Sequence, residues 1–441
     1  MPMNFRPILF AAIFTAAALA PGAPSAHASP SPVLVFDIKL PGPVSQISSL
    51  NSDSKLLAVE AEPGTQKPAR VIAIDKRGRA ASIDELASVK EITVPADRLW
   101  ITGEAEKGAA PDASAPSRTM PVTGVQVYLS GGGEAYAVAY KTTGRYYELR
   151  YKDKNGRLLF IATPRDAYGL KSVYISYNGS RVILVDESAM DGEDAADFGQ
   201  RLYFYNKEGR LTADHDLGDD LDLWLDTSGG VMSKDGSSFA SVRGMGPRPG
   251  RSVVMFNGDG KVRWEKTFFQ THSLTEAYGG AVGVKGGSGS MLNFINPDGT
   301  LKAVERKGYG FDLWLSGDGK YAYIMVFKQF DVKKSGVPEE VMAVFPGAKV
   351  VALDLDGLTP EGGTDPDLAI APDGKAFIHY CTENLGRTDA TVLTCYDEAF
   401  HNIWDERFYG GPAMPQFVDG SRGFILKIGL PAARLIYYEA R

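Results

Sequence analysis

The chain has 441 residues, 44% of them hydrophobic and 23% charged, the balance of an ordinary soluble globular protein. Its formal charge of −7 is spread along the chain, which argues against a nucleic-acid partner, because phosphate binding needs a concentrated basic face. Abundant glycine (49 residues) and 10% aromatics favour many short strands joined by turns over long helices.

In chain order, the first element is a targeting segment. Arg6 precedes an apolar run from Pro7 to Ala20, and Ala26 and Ala28 are spaced for cleavage after Ala28. Residues 1–28 read as a secretory signal peptide, the run being shorter than the roughly 20 residues that a spanning helix needs. The protein is expected to be exported, periplasmic or extracellular, with no membrane span. Residues 29–441 then form one domain. It opens on a strand, "VLVFDIKL" from Val33 to Leu40, that has no partner nearby in the sequence.

Two interleaved series of turns follow. One has the form Asx-x-x-Gly: "DKRGR" from Asp75, "DKNGR" from Asp153, "NKEGR" from Asn206, "NGDGK" from Asn257, "NPDGT" from Asn296 and "DLDGL" from Asp354. A seventh, "DEAFH" from Asp397, carries Phe400 where glycine is expected. The other series is "LNSDSK" at Leu50, "LSGGGE" at Leu129, "SYNGSR" at Ser176, "MSKDGS" at Met232, "LSGDGK" at Leu315, "IAPDGK" at Ile370 and "FVDGSR" at Phe417. A weaker member sits at Gly279–Gly280. Alternating strands flank both series, which is the hairpin signal. The unit is strand A, tight turn, strand B, variable loop, strand C, Asx turn, strand D. It repeats at about 40 to 55 residues, the period of propeller blades.

Eight A–B turns face only seven C–D turns, and the last unit, ending at "RLIYYEAR", lacks a strand D. The expected fold is therefore all-β, an eight-bladed propeller closed by pairing the N-terminal strand with the C-terminal blade, which removes exposed sheet edges. Seven blades is the alternative, if the unit at Gly279 merges with a neighbour. "IAPDGKAFIHY", "LSGDGKYAYIM" and "MSKDGSSFASV" resemble the inner strands of WD-repeat-like, TolB-type propellers, a superfamily of scaffolds and enzymes that implies fold without function. Trp264 and Trp404 occupy the same position of strand D and resemble the blade-docking tryptophans of quinoprotein-type propellers; Ala213 and Ala303 stand there in other units.

Tight turns emerge on one face and variable B–C and D–A connections on the other, so function is expected on the variable face. Two acidic connections lie there, one with Asp186, Asp191, Glu193, Asp194 and Asp197, the next with Asp219 and Asp220. Clustered carboxylates suit calcium, although solvated acidic loops are the simpler reading and no other cofactor is implied. Arg243, Arg248 and Arg251 of "RGMGPRPGRS" could receive a carboxylate or phosphate. The long insertion around Phe330 could form a lid or docking patch, and Trp314 and His272 are candidates at the channel. The Ala/Pro/Ser-rich stretch 103–121 should be mobile. Cys381 and Cys395 flank a hairpin loop, and in an oxidising compartment a disulfide between them is expected; two buried thiols on alternate faces is the alternative.

The catalytic inventory is sparse, with no zinc spacing, phosphate loop or nucleophile elbow. The leading expectation is a module that binds a protein, peptide or glycan through the B–C/D–A face. The alternative is a hydrolase or lyase acting on a sugar or lactone at the channel mouth.

Overall fold

The computed structural model describes residues 32–439 apart from 63–64, 66, 96–115, 144–145, 165–168, 190–197, 220–229, 245–250, 269–270, 279–280, 287–290, 306–308, 316–320, 329–348, 355–357, 359–362, 385–388, 410–411 and 430–431. The signal-peptide reading of residues 1–28 lies outside the described residues.

Hairpins follow one another from end to end. The chain opens with β1 (Val33–Ile47), β2 (Lys55–Ala61), β3 (Pro68–Asp75) and β4 (Ala80–Glu85), then a ribbon of β5 (Glu91–Val94) and β6 (Arg118–Pro121). The next sheet is β7 (Gly124–Leu129), β8 (Ala135–Lys141), β9 (Tyr147–Asp153) and β10 (Leu158–Ala162). Another holds β11 (Gly169–Ile175), β12 (Arg181–Ala189), β13 (Phe198–Asn206) and β14 (Leu211–Asp219). Then come β15 (Gly230–Met232), β16 (Ser238–Gly244), β17 (Arg251–Asn257) and β18 (Val262–Phe268). The weak repeat has its own four-stranded sheet, β19 (Thr271–Tyr278), β20 (Ala281–Gly286), β21 (Met291–Ile295) and β22 (Leu301–Glu305). A three-stranded sheet follows, β23 (Tyr309–Leu315), β24 (Tyr321–Lys328) and β25 (Lys349–Asp354). Last are β26 (Gly363–Ile370), β27 (Ala376–Asn384), β28 (Asp389–Asp397) and β29 (Asn402–Tyr409), and then β30 (Ala413–Phe417), β31 (Gly423–Ile428) and β32 (Ala432–Glu439).

The turn residues do the work their chemistry allows. In the C–D turns an Asx oxygen gathers two backbone N–H groups: Asp153 Oδ1 accepts from Asn155 and Arg157, each at 3.0 Å. In the A–B turns a serine hydroxyl caps the following strand, as when Ala135 N donates to Ser130 Oγ at 3.1 Å. The first A–B turn lacks glycine, and Ser54 holds φ 55° with its side chain exposed. Ser54→Gly should raise stability by about 1 kcal/mol by removing that left-handed strain, read as a higher urea midpoint with unchanged slope.

Apolar residues alternate between the two faces of each sheet, so the core is divided into clusters between successive sheets. Leu57 and Val59 of β2 pack with Val127, Tyr136 and Val138 of the following sheet. Leu56 and Ala58 face the other way, onto Phe36, Ile425, Leu435 and Tyr437. Strand D of one unit is covered by the C–D turn of the next. A Cβ at Gly209 would lie 2.5 Å from the Cβ of Phe160, so only glycine permits that approach. Gly78 sits against Phe36 of β1 in the same way, with 2.9 Å to its Cβ. Hence the first half of β1 occupies the strand D position of the sheet β30–β32.

Register agrees. Antiparallel pairing runs from Val33 opposite Glu439 to Lys39 opposite Arg434, and after an irregularity Val44 to Ile47 pair with Glu60 to Ala58 of β2. One strand thus belongs to two meanders, giving a seven-stranded sheet. Inner turns add a belt of backbone hydrogen bonds: Leu50 N to Val418 O and Ser49 N to Gly131 O, both 2.7 Å, then Gly132 N to Tyr177 O and Tyr177 N to Lys234 O, both 2.9 Å.

Three expectations need correcting. Cys381 lies opposite Val392 and Cys395 opposite Ile378, so their side chains leave opposite faces of the sheet; both thiols are buried and free, and no disulfide forms. Burial raises both thiol pKa values, that of Cys395 to about 12. A thiol reagent should therefore modify both only on unfolding. Residues 118–121 are not a mobile tail of the Ala/Pro/Ser-rich stretch but strand β6, because Met120 is buried with Ile92 and Val94. Finally, β25 pairs with β24 in parallel, not as an antiparallel meander; the connection 329–348 is longer than the dozen or so residues a parallel crossover needs.

Candidate functional site

The junction between β26–β29 and the last sheet differs from the others. At Gly209, Gly260 and Gly299 a covalent C–D turn folds over the preceding strand D. Here strands C and D are β32 and β1, which are not consecutive in the chain, so no turn joins them. A groove of about 370 Å³ runs along this seam, lined by Leu34, Asp37, Arg407, Phe408, Tyr409, Ile428, Arg434, Ile436 and Tyr438. Its mouth lies where β29 and β31 end and β32 begins, the end on which the variable connections emerge.

A column of rings supports the groove floor. Trp404 stacks on Phe424 (centroids 5.0 Å), Phe424 stacks on Tyr438 (5.3 Å), and Phe408 meets Tyr438 edge-on at 6.0 Å. Trp404 and Phe424 are buried, whereas Tyr409 is 65% and Leu34 55% exposed. Burial of an aromatic base beneath exposed rings fixes their positions at low entropic cost.

Charges line the walls in pairs. Arg434 forks onto Asp37, with Nε to Oδ1 at 2.8 Å and Nη2 to Oδ2 at 2.5 Å. That hydrogen-bonded fork holds the Asp37 carboxyl below its usual range against the opposing effect of burial. Arg407 Nε lies 3.2 Å from Glu383 Oε2. Both guanidiniums are about half exposed, but Arg407 reaches inward to Glu383 on the face of β29 away from Phe408, so the charge in the groove itself is the Arg434–Asp37 pair. Burial pushes the Tyr438 phenol upward.

Other polar groups at the loop end are structural. Asp186, grouped by sequence with an acidic loop, is fully buried: it accepts Tyr147 Oη and Gly169 N, both at 2.7 Å. Glu60 stands at the equivalent place in β2 and accepts Gly42 N and Arg70 Nε, again at 2.7 Å. Each carboxylate anchors the entry to an inner strand and has its oxygens engaged.

None of the described residues among those singled out by sequence lines the seam. Arg243 on β16 faces Ser252 across the ladder and Arg251 opens β17, so the backbone brings these two to one sheet end. His272 sits in β19 at the irregularity between Thr271 and Ser273, and Asp219 closes β14 opposite Gly199. Arg248, Phe330, Asp191, Glu193, Asp194 and Asp220 lie outside the described residues. Trp314 is placed next to last in β23, toward the tight-turn end and away from the variable face. Lys234 Nζ covers its ring at 3.9 Å and Tyr323 meets it edge-on at 5.7 Å. Among the described residues no group of three or more His, Cys, Asp or Glu is placed to hold a metal, and no helix is long and apolar enough to cross a membrane.

No family model matches this chain, and no curated protein does. Solved structures similar to it include β-propeller and WD40 domains. A structure titled as the eukaryotic initiation factor aligns at 12% identity over 90% of this chain and 88% of that one, TM-score 0.43. The β-propeller domain of Myceliophteria thermophila Cps50 (Swd1) aligns at 8% over 93% and 100%, TM-score 0.41. The WD40 domain of SCAP from fission yeast aligns at 8% over 93% and 94%, TM-score 0.39. These are likenesses of fold.

Proposed function

We propose that this chain is an exported eight-bladed propeller, its ring closed by β1, that works as a binding module for a protein, peptide or glycan through the face of its variable connections. The observation that carries the binding role is the seam groove, where exposed Leu34 and the half-exposed Arg434 sit beside a fixed aromatic column that ends in Phe408 and Tyr438. Tyrosine and arginine over a packed apolar base are the residues that dominate binding energy at interfaces.

The eight-blade reading is supported by the sheet inventory when β1 is counted once with each of its two partners. Closure is supported by the pairing of β1 with β32, by Gly78 over Phe36, and by the Leu50–Val418 hydrogen bond. Export rests on the leader-like residues 1–28. N-terminal sequencing of the protein recovered outside the cytoplasm should begin at Ser29.

Binding is tested by screening the full chain on peptide and glycan arrays, then mapping hydrogen exchange with the best ligand present. Protection is expected at β29, β31 and β32 and at the variable connections. Protection confined to the A–B and C–D turns would contradict the reading. For the acidic connections solvated carboxylates are the simpler reading, with calcium binding as the alternative. Calorimetric uptake, with a fall in melting temperature on chelation, would support this, and neither change would remove it.

A further inference from the structure

We infer that the rim formed by the C–D turns of the first five meanders rests on an anionic lipid bilayer, which leaves the variable face and its groove pointing away from the membrane. This goes beyond the ligand reading above and does not depend on it.

Three observations converge. First, folding gathers cations that the sequence spreads. The four C–D turns between β3 and β4, β9 and β10, β13 and β14, and β17 and β18 hold eight basic and four acidic residues. The turns at Asn296 and Asp397 hold three acids and no Lys or Arg. Second, the cations of the basic turns face solvent more than the acids do. The side chains of Arg79, Arg157 and Lys207 are each about two-thirds exposed or more. Arg77, Arg210 and Lys261 are exposed and have no side-chain partner among the described residues. Asp75 and Asp153 are only a fifth exposed and accept backbone N–H groups of their own turns. Of the two outward acids, Glu208 and Asp259, the second is held by Arg181 at 2.8 Å. Third, aliphatic side chains recur beside the cations. Leu158, Leu211, Val262 and Leu301 open β10, β14, β18 and β22, the outer strands of their sheets, at the turn end. Each is about half exposed, and they are four of the seven large hydrophobics exposed among the described residues. One exposed aliphatic is ordinary; four at the same position of successive repeats make a row. Such a row interleaved with Lys and Arg matches an anionic bilayer, where headgroups attract the cations and the acyl boundary takes the aliphatics. A soluble polyanion would leave the aliphatic row without a role.

The test is co-sedimentation of the chain with vesicles of phosphatidylcholine, alone or with about one-third phosphatidylglycerol. Binding to the anionic vesicles is expected, weakening steeply as salt rises, and about tenfold or more weaker on phosphatidylcholine alone. Residues 1–28 carry an apolar run of their own, so the rim variants decide the matter. Arg210→Glu combined with Lys261→Glu should weaken binding by about tenfold or more. Leu211→Ser combined with Val262→Ser should weaken it by about the same factor. All four side chains are exposed, so melting temperatures should not move, and Arg210→Lys should keep the affinity. Leu211→Trp should add fluorescence that brominated lipid quenches. Binding that is indifferent to lipid charge, or unchanged in both double variants, would overturn the inference, as would no binding at all. So would retention on heparin, a soluble sulfated polysaccharide, that the glutamate variants abolish and the serine variants leave intact while vesicles do not bind. Ligand binding at the groove should be the same in every rim variant, so the two readings fail separately.

Discussion

Glu60→Ala is expected to lose about 3 kcal/mol of folding stability, the lower end of the range for breaking a buried ion pair, because Arg70 is one-third exposed. The carboxylate is 2% exposed and carries two obligations. It satisfies Gly42 N at the point where β1 crosses from one sheet to the next, and it neutralises Arg70. The crossing leaves no alternative: a Cβ at residue 42 would lie 2.0 Å from the carbonyl oxygen of Ala61. Removing the carboxylate leaves a buried N–H with nothing to replace it. Glu60→Gln keeps the shape and one acceptor and should lose about half as much. Urea denaturation of the three proteins at neutral pH checks both figures. A loss below about 0.5 kcal/mol for Glu60→Ala would mean that the crossing is held by other contacts.

Acid should destabilise the protein well above the range where ordinary carboxylates titrate. His379 on β27 is 2% exposed, and burial lowers its pKa to about 4 from 6.5, with nearby Asp367 opposing the shift. The unfolded chain therefore binds a proton at this residue that the folded chain refuses between pH 6.5 and about 4. Stability rises with pH across that window and falls as pH is lowered through it, by about 3 kcal/mol in all. Below about 4 both states are protonated and this contribution levels off. His379→Asn should flatten the slope in that window while leaving the more acidic titration of groups such as Asp37 in place. Melting temperatures taken at half-unit pH steps for both proteins make the comparison. Parallel curves would assign the acid sensitivity elsewhere.

Much of the fold is legible because the turns carry their own chemistry. Asp153, Asn257 and Asp397 each cap a hairpin with a side-chain oxygen, and even Phe400, replacing the expected glycine, holds φ 66° in the same turn. Trp264 and Trp404 are readable as docking residues because they are large and recur at one offset; both are buried between sheets. Phe160 fills the same position but gives no such signal, since phenylalanine is common in any strand. The parallel pairing of β25 is invisible to periodicity, which is two in either direction.

The groove was not legible. Its charged centre joins Asp37 to Arg434, 397 positions apart in the chain. Local patterns cannot show such a neighbour. The one available clue was the lone strand from Val33. Placing it beside the last unit implies a junction without a turn, and "DERFYGG" from Asp405 would then mark the facing wall. The acidic loops drew notice through composition, yet composition cannot separate a solvated carboxylate from Asp186, whose oxygens are fully engaged inside the protein.

Hydrogen exchange at the amides of Val33 to Lys39 tests the account most directly, because the proposed ring closure and the groove both depend on that segment. The prediction is protection equal to that of β31 and β32, released only with global unfolding. Exchange at these amides as fast as in an unstructured peptide, while β2 and β3 stay protected, would contradict it.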